Sequence, residues 1–396
     1  MKEQLNNRNL TGKGWRVGLC LYVLLLVCLA AATIIEKYHG TPFVQQNIYG
    51  AWWFSLLWGL LVAIAIAWIC KQRMHRWSLI VLHTSFVVIL AGALLTHLTA
   101  ERGSIHLRIG QPNNICQMQK GNDIEKQQLP YSLTLDYFEV KYHEGMQAVA
   151  DYVSHITIDD SQHLVSMNHI MRYQSQRFYQ GGYDEDLQGC TLAINADPWG
   201  IPVTYTGYAL LFVALAAILI KQRKTFPAVT WSWIGVLAVL LVALYIRMRT
   251  HQLLPVLRSP FFSLHISTIV TSYALLLGIL VVGVIALVKP KDAARMERLK
   301  SLSTAMLYPA VALLAIGIFI GAVWANVSWG NYWSWDPKEV WALITLLVYA
   351  MPLFSNVLTS FRKPMFFHIY TIIAFLSVII TYFGVNLILG GIHAYN

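Results

Sequence analysis

Polar residues in this chain are confined to short stretches between long apolar runs. A helix needs about 20 consecutive apolar residues to cross the hydrocarbon core of a bilayer. Nine runs approach or exceed that length: residues 15–35, 51–70, 78–98, 203–220, 229–246, 265–288, 305–325, 340–358 and 366–390. The pattern changes only in residues 99–202. There Tyr131–Glu139, Ala150–Ile158 and Cys190–Asn195 alternate apolar and polar positions as half-buried strands do, and Gly181-Gly182 and Asp159-Asp160 read as turns. The pattern predicts an all-α polytopic membrane protein of about nine transmembrane helices, interrupted by a small β-rich domain.

Composition agrees. Of 396 residues, 57% are hydrophobic and 12% charged, against about 45–50% and 25% in soluble domains. This excludes a soluble globular enzyme, a disordered tail and a nucleic-acid binder with a basic face. Five cysteines without a C-x-x-C pair exclude a disulfide scaffold or a zinc site. Cys116 and Cys190, the two in the β-rich segment, are open to pairing or to remaining free.

The distribution of charge sets the expected orientation. When the loops are assigned alternately to two sides, one side holds 17 of the 29 basic and three of the 19 acidic residues, for a net +14; the other is −4. Short positive loops stay in the cytoplasm, so the N-terminus is expected inside and the β-rich segment outside. The first run lacks a small-residue cleavage site and is expected to be a retained helix. With Arg16 counted in the N-terminal flank, no Lys, Arg, Asp or Glu falls inside a span, which argues against an ion-coupled carrier or a voltage sensor. The titratable groups in or at the ends of the spans are mainly His83, His97, His265, His368 and His393, and imidazole is a common axial ligand of haem iron.

The most distinctive stretch is Trp324–Trp341, WANVSWGNYWSWDPKEVW, with five tryptophans in 18 residues. Two readings stand on composition alone: an interfacial aromatic belt, or a flat wall for a large planar ligand.

The order of these residues resembles the tryptophan-rich WWD signature of the haem-handling proteins of cytochrome c maturation. The surrounding match is to the haem lyase of the second maturation system, a cytochrome c synthase. Residues 265–396 resemble its smaller subunit through SLHISTIVTSY, the WWD segment and YFGVNLILGGIHAY. Residues 1–220 resemble the larger subunit more loosely, through SMNHIMRYQSQRFYQGGYDED and INADPWGIPVTYTGY. The resemblance implies a fusion: a three-helix membrane region over 1–98, an extracytoplasmic domain over 99–202, a fourth span over 203–220, and a second membrane domain over 221–396 carrying the WWD loop at 324–341.

What the family does then carries over by position. His265 and His393 match two outer histidines that ligate haem iron from opposite faces. Trp324, Asn326, Trp329, Gly330, Tyr332, Trp333, Trp335, Asp336 and Pro337 would form the haem shelf, with Asp336-Pro337 fixing a tight turn. An inner site within the membrane would use His83. Its usual partner position reads Phe354 here, which cannot ligate iron, so His368 is the candidate substitute. Each histidine also has an ordinary structural reading as a hydrogen-bonded core or interfacial residue. Arg247, Arg249 and Arg258 cluster just before His265 and suit either haem propionates or lipid phosphates.

The implied activity exports haem b and joins its vinyl groups to the thiols of a C-x-x-C-H segment in apocytochrome c; iron enters only as haem. The implied partners are haem, apocytochrome c, thiol-reducing maturation proteins and membrane lipid, with no nucleic acid, and the implied location is a bacterial inner membrane. The alternatives are a non-catalytic haem exporter or chaperone that hands haem to a separate ligase, and a transporter or anchor that binds no haem.

Overall fold

The computed structural model describes residues 2–72, 76–120, 123–143, 149–250 and 257–389. The chain begins with α1 (Lys2–His39), a short corner helix α2 (Thr41–Val44) that runs into a π-turn at Gln45–Tyr49, then α3 (Trp52–Gln72) and α4 (Trp77–Thr99). Eight strands follow: β1 (Glu101–Arg108), β2 (Pro112–Lys120), β3 (Asp123–Tyr142), β4 (Val149–Ile158), β5 (Ser161–Ser166), β6 (Met171–Tyr173), β7 (Gln176–Tyr183) and β8 (Gly189–Ala196). The chain then forms α5 (Gly200–Gln222), α6 (Pro227–Thr250), α7 (Pro260–Val288), α8 (Ala293–Trp329), α9 (Pro337–Ala350) and α10 (Pro364–Ile379), which continues as a π-helix through Leu389. Among the described residues, nine helical segments are long and apolar enough to cross a membrane, one for each apolar run.

Several helix ends run past the apolar runs. The 37 residues of α8 extend about 55 Å at 1.5 Å per residue, well beyond a hydrocarbon core of about 30 Å. The longer helices also take in charges that the apolar pattern left in the flanks: Glu36 near the end of α1, and Lys338 and Glu339 in the first turn of α9. The WWD segment is correspondingly less of a loop than its sequence indicated. Trp324–Trp329 are still helical, because WANVSW contains no breaker, and only residues 330–336 leave the helix.

Small residues and side-chain amides allow the helices to pack. Gly92 on α4 and Gly207 on α5 let the two backbones meet: a Cβ at Gly207 would lie 2.9 Å from the backbone nitrogen of Ile89, and one at Gly92 2.9 Å from the Cα of Thr204. Close approach of this kind is a common way for helices to associate in lipid. Pro309, inside α8, has no N–H and frees the carbonyl of Ala305. Gln222 at the end of α5 donates its Nε2–H to that carbonyl at 3.0 Å, so the freed acceptor is satisfied.

The strands form one antiparallel sheet in the order β5-β4-β3-β2-β1-β8-β7-β6. One face buries Ile105, Leu107, Leu133, Leu135, Ile156, Val165, Phe178, Leu192 and Ile194. Asp159 and Asp160 make the β4–β5 turn with φ of 46° and 64°, a left-handed pair whose twist suits a two-residue hairpin. Gly181-Gly182, in contrast, is no turn. It lies within β7, where the register with β8 shifts between Gln180 and Gly182, so the glycines accommodate a bulge.

Cys116 on β2 and Cys190 on β8 are buried free thiols on either side of β1. Strands two apart lie about 9.6 Å from each other, beyond the Cα reach of a disulfide, about 7 Å. Burial pushes both thiols up, Cys190 to about 11.

Two predictions follow from this packing. Gly207→Val should cost about 1–3 kcal/mol by overpacking and lower the melting temperature of the detergent-solubilised protein, whereas Gly59→Val, whose side chain would meet open space, should leave it unchanged. Because their folded pKa values are raised, Cys116 and Cys190 should stay protonated and resist maleimide at pH 8; labelling of Cys190 should accelerate as pH nears 11, and labelling of both when the chain is unfolded.

Candidate functional site

The segment between α8 and α9 is held by contacts from three directions. Gly330 ends α8 in the left-handed conformation (φ 78°), its N–H donating to the Asn326 carbonyl at 3.2 Å. A Cβ there would lie 2.6 Å from the Tyr179 ring of β7, so both conformation and contact require glycine. Asn195 of β8 donates its Nδ2–H to the Gly330 carbonyl, and Arg102 of β1 donates to the Asn331 side chain at 3.2 Å. Tyr332 donates to Thr96 of α4 at 2.8 Å, and Thr96 donates to the buried carboxylate of Asp197 at 2.6 Å.

The N-terminal helices hold the far half of the turn. Trp335 has φ of 60°, which is rare for a bulky residue. Its ring stacks on Tyr49 at 4.5 Å and meets the edge of Phe54 at 5.4 Å, while Gln45 donates to the neighbouring Ser334 carbonyl at 3.0 Å. Asp336 is 2% exposed and caps α9 by accepting from the Lys338 N–H at 2.9 Å. Pro337 stands at the first helical position, which favours it there. Glu339 reaches back to accept from the Ser334 N–H at 2.9 Å.

The five tryptophans divide into separate groups. Trp324 and Trp329 meet edge to face at 5.0 Å, and Trp324 also packs on Phe262 of α7 at 4.9 Å. Trp333 and Trp335 meet at 5.7 Å beside Tyr49. Trp341 leaves both groups and donates its Nε1–H to Thr33 of α1 at 3.1 Å.

His265 belongs to the first group. Its ring lies nearly parallel to Trp324 at 6.5 Å, and its Nδ1 is 2.7 Å from the Gly317 carbonyl of α8. A carbonyl only accepts, so Nδ1 carries the proton and Nε2 is the nitrogen with the lone pair. Gly321, one turn further on, makes room for the imidazole: a Cβ there would lie 2.6 Å from Nδ1. Neutral imidazole oriented by a backbone carbonyl through its other nitrogen is the arrangement found at metal-ligating histidines.

The remaining candidate residues lie apart from this group. His83 of α4 packs against Trp68 at 6.4 Å and Phe354 at 6.3 Å. His368 of α10 is fully buried with Nε2 3.4 Å from the Met296 carbonyl of α8. The two inner histidines thus have different immediate neighbours. Arg247 and Arg258 are exposed; His393 and the side chain of Arg249 lie outside the described residues. Tyr179, Asn195 and Arg102, which buttress the turn, were not among the candidates read from the sequence. Tyr179 and Asn195 lie in the two segments that carry the resemblance to the larger subunit, and strand alternation puts Asn195 opposite the buried face of β8.

Comparison with known proteins bears on this arrangement. Residues 202–393 match the family described as Cytochrome C assembly protein, and residues 70–198 match the ResB-like family. The first match takes in α5, which the resemblance grouped with the N-terminal half. Protein NrfI of Wolinella succinogenes is 38% identical over 156 residues, covering 36% of this chain and 17% of that protein. The cytochrome c biogenesis protein CcsA of Prochlorococcus marinus (strain NATL2A) is 35% identical over 182 residues, covering 36% of this chain and 57% of its own. CcsA of Chlamydomonas reinhardtii is 39% identical over 153 residues, covering 36% and 42%. The chain therefore spans less than two thirds of the length of these relatives. One polypeptide thus joins a cytochrome c assembly region, shared with cytochrome c biogenesis proteins, to a ResB-like region.

Proposed function

We propose that this protein is a cytochrome c synthase. It would bring haem b across a bacterial inner membrane and hold it at the outer face for covalent attachment to apocytochrome c. The observation that carries the reading is His265, fixed by the Gly317 carbonyl as the tautomer with Nε2 as its lone-pair nitrogen, beside the Trp324–Trp329 pair. The cytochrome c assembly region and the WWD residues support it.

The chemistry asks the protein mainly for position. Each thiol of a C-x-x-C-H segment adds across a vinyl group: sulfur bonds to the carbon next to the macrocycle and the thiol hydrogen ends on the terminal carbon. No group leaves, and no external electron is consumed. Reduced iron keeps the addition clean, and thiol-reducing maturation proteins keep the cysteines available. His265 would supply one axial ligand from Nε2, made more basic by the Nδ1–H bond to Gly317. His393 is proposed as the second, until the histidine of C-x-x-C-H replaces one of the two. Trp324 and Trp329 would pack against the ring, while Trp333, Trp335 and capped Asp336 keep the turn in shape. Holding the reacting groups in place can lower a barrier by about 7 kcal/mol or more.

The orientation proposed is the one that places the positive loops inside. His83, beside Trp68, would then act as an inner stop on the export path. Pairing His83 with His368 there would use the Nδ1 of His368, since its Nε2 faces the Met296 carbonyl and Nδ1 has no protein partner among the described residues. Arg247 and Arg258, being exposed, suit lipid headgroups as well as propionates.

His265→Ala should diminish the Soret band of the purified protein and abolish covalent cytochrome c formation in a host lacking its own maturation system, while membrane insertion is unchanged. Gly321→Val, which displaces the imidazole without removing it, should weaken haem retention by about tenfold or more. Full maturation by His265→Ala would defeat the assignment. Haem binding without thioether formation by the unmodified protein would leave an exporter.

A further inference from the structure

The sheet carries a row of polar residues that neither the aromatic turn nor the histidines account for. Arg172 on β6 faces Arg177 on β7, Arg177 faces Asn195 on β8, and Asn195 faces Arg102 on β1. Residues directly opposite in an antiparallel sheet project to the same face, so three guanidinium groups and an amide line up across four strands. Their chain neighbours Met171, Phe178 and Ile194 fill the core, which puts the row on the outer face. That face meets the WWD turn, through the Asn195 bond to Gly330, the Arg102 bond to Asn331, and Tyr179, which shares a face with Arg177. Arg172 and Arg177 also interact electrostatically with the hydroxyls of Tyr179 and of Tyr205 on α5.

Like charges directly opposite destabilise a ladder. Further along the same face of β1, Arg108 shows how such a charge is ordinarily balanced, with Asp184 and Asp186 each at 2.8 Å. Among the described residues, Arg102, Arg172 and Arg177 have no carboxylate within ion-pair distance. Asp197, just beyond β8, directs its oxygens to Thr96 and to the Gly200 N–H. Buried polar atoms without a protein hydrogen bond among the described residues also gather at this junction, Asn195 Oδ1, Asn326 Oδ1 and Ser328 Oγ, while the Tyr179 hydroxyl has Arg177 beside it. Burial raises Tyr179 above the ordinary range, so its hydroxyl keeps its proton and is able to donate.

We propose that Arg102, Arg172 and Arg177 form an oxyanion clamp for the two propionates of the haem handled at the WWD turn, an assignment that rests on the haem reading above. Guanidinium groups match carboxylates with paired donors, and three of them suit a dianion. Propionates and vinyls sit on different edges of the macrocycle. A haem pinned to the sheet by its propionates therefore presents its vinyl edge away from it, and the ResB-like region sets which edge the thiols meet. The phosphate of an anionic lipid offers similar oxyanion chemistry, so the test must separate the two.

The full chain in nanodiscs, as wild type and as the Arg102→Gln/Arg172→Gln/Arg177→Gln variant, should be titrated with haem and with haem dimethyl ester, which lacks propionate charge. Arg108→Gln provides a control on the same face. The wild type should prefer haem over its ester, and the triple variant should lose about tenfold or more of haem affinity while binding the ester as before. An unchanged preference in the triple variant would overturn the clamp. So would loss of co-purifying anionic lipid in that variant with the porphyrin preference intact, which would identify a headgroup site. A wild type that binds neither porphyrin would overturn the synthase reading together with the clamp.

Discussion

Backbone polar groups at a membrane must find partners within the protein, and residues 330–336 are where that demand is sharpest. Seven residues leave the helix between two membrane-spanning segments, so their amides and carbonyls need donors and acceptors from elsewhere. The sheet satisfies Gly330 through Asn195, the N-terminal helices satisfy the Ser334 carbonyl through Gln45, and α9 satisfies the Ser334 N–H through Glu339. The chain's separate parts converge here because the turn cannot be stable without them. The unusual backbone at Trp335 is held in the same way, between Tyr49 and Phe54.

The histidine beside this turn is placed by different means. His265 sits on α7 and takes its orientation from α8, through a carbonyl and through the space that a missing side chain leaves at Gly321. Both helices pack along much of their length with small residues such as Ser267, Ser272 and Gly317, and Ser272 bonds to the Ala310 carbonyl at 2.7 Å. The imidazole is thus mounted on rigid elements, while the aromatic turn is assembled from loop backbone and borrowed contacts. A ligand nitrogen on a stiff mount next to a buttressed wall suits a planar guest that must be held in one orientation.

Much of this was legible in the sequence. Hydropathy alone located nine spans, because burial in lipid demands apolar length whatever the partner helices do. Strand alternation found β3, β4 and β8. The pattern could not show where helix gives way to turn: Trp324–Trp329 look like loop by composition but contain no residue that stops a helix. Gly181-Gly182 were misread for a related reason, since glycine marks bulges as readily as turns. His265 stood out through its resemblance to a family motif, yet its tautomer depends on Gly317, 52 residues away. The arginine row was invisible for the same reason: Arg102 and Arg177 come onto one face only through the register of β1, β8 and β7, which no local signal encodes.

The two family regions meet at residues 198–202, a junction that is stiff rather than loose. Asp197 takes the Gly200 N–H at 2.7 Å and the Thr96 hydroxyl at 2.6 Å, and Thr96 in turn takes Tyr332. One carboxylate thereby ties the last strand, the start of α5, the end of α4 and the aromatic turn into a single knot. For the sheet to swing away from the membrane helices, these bonds would have to break first. Were the same architecture encoded as two polypeptides cut at this point, the cut would fall inside the knot, and the separate chains would have to rebuild it by association alone.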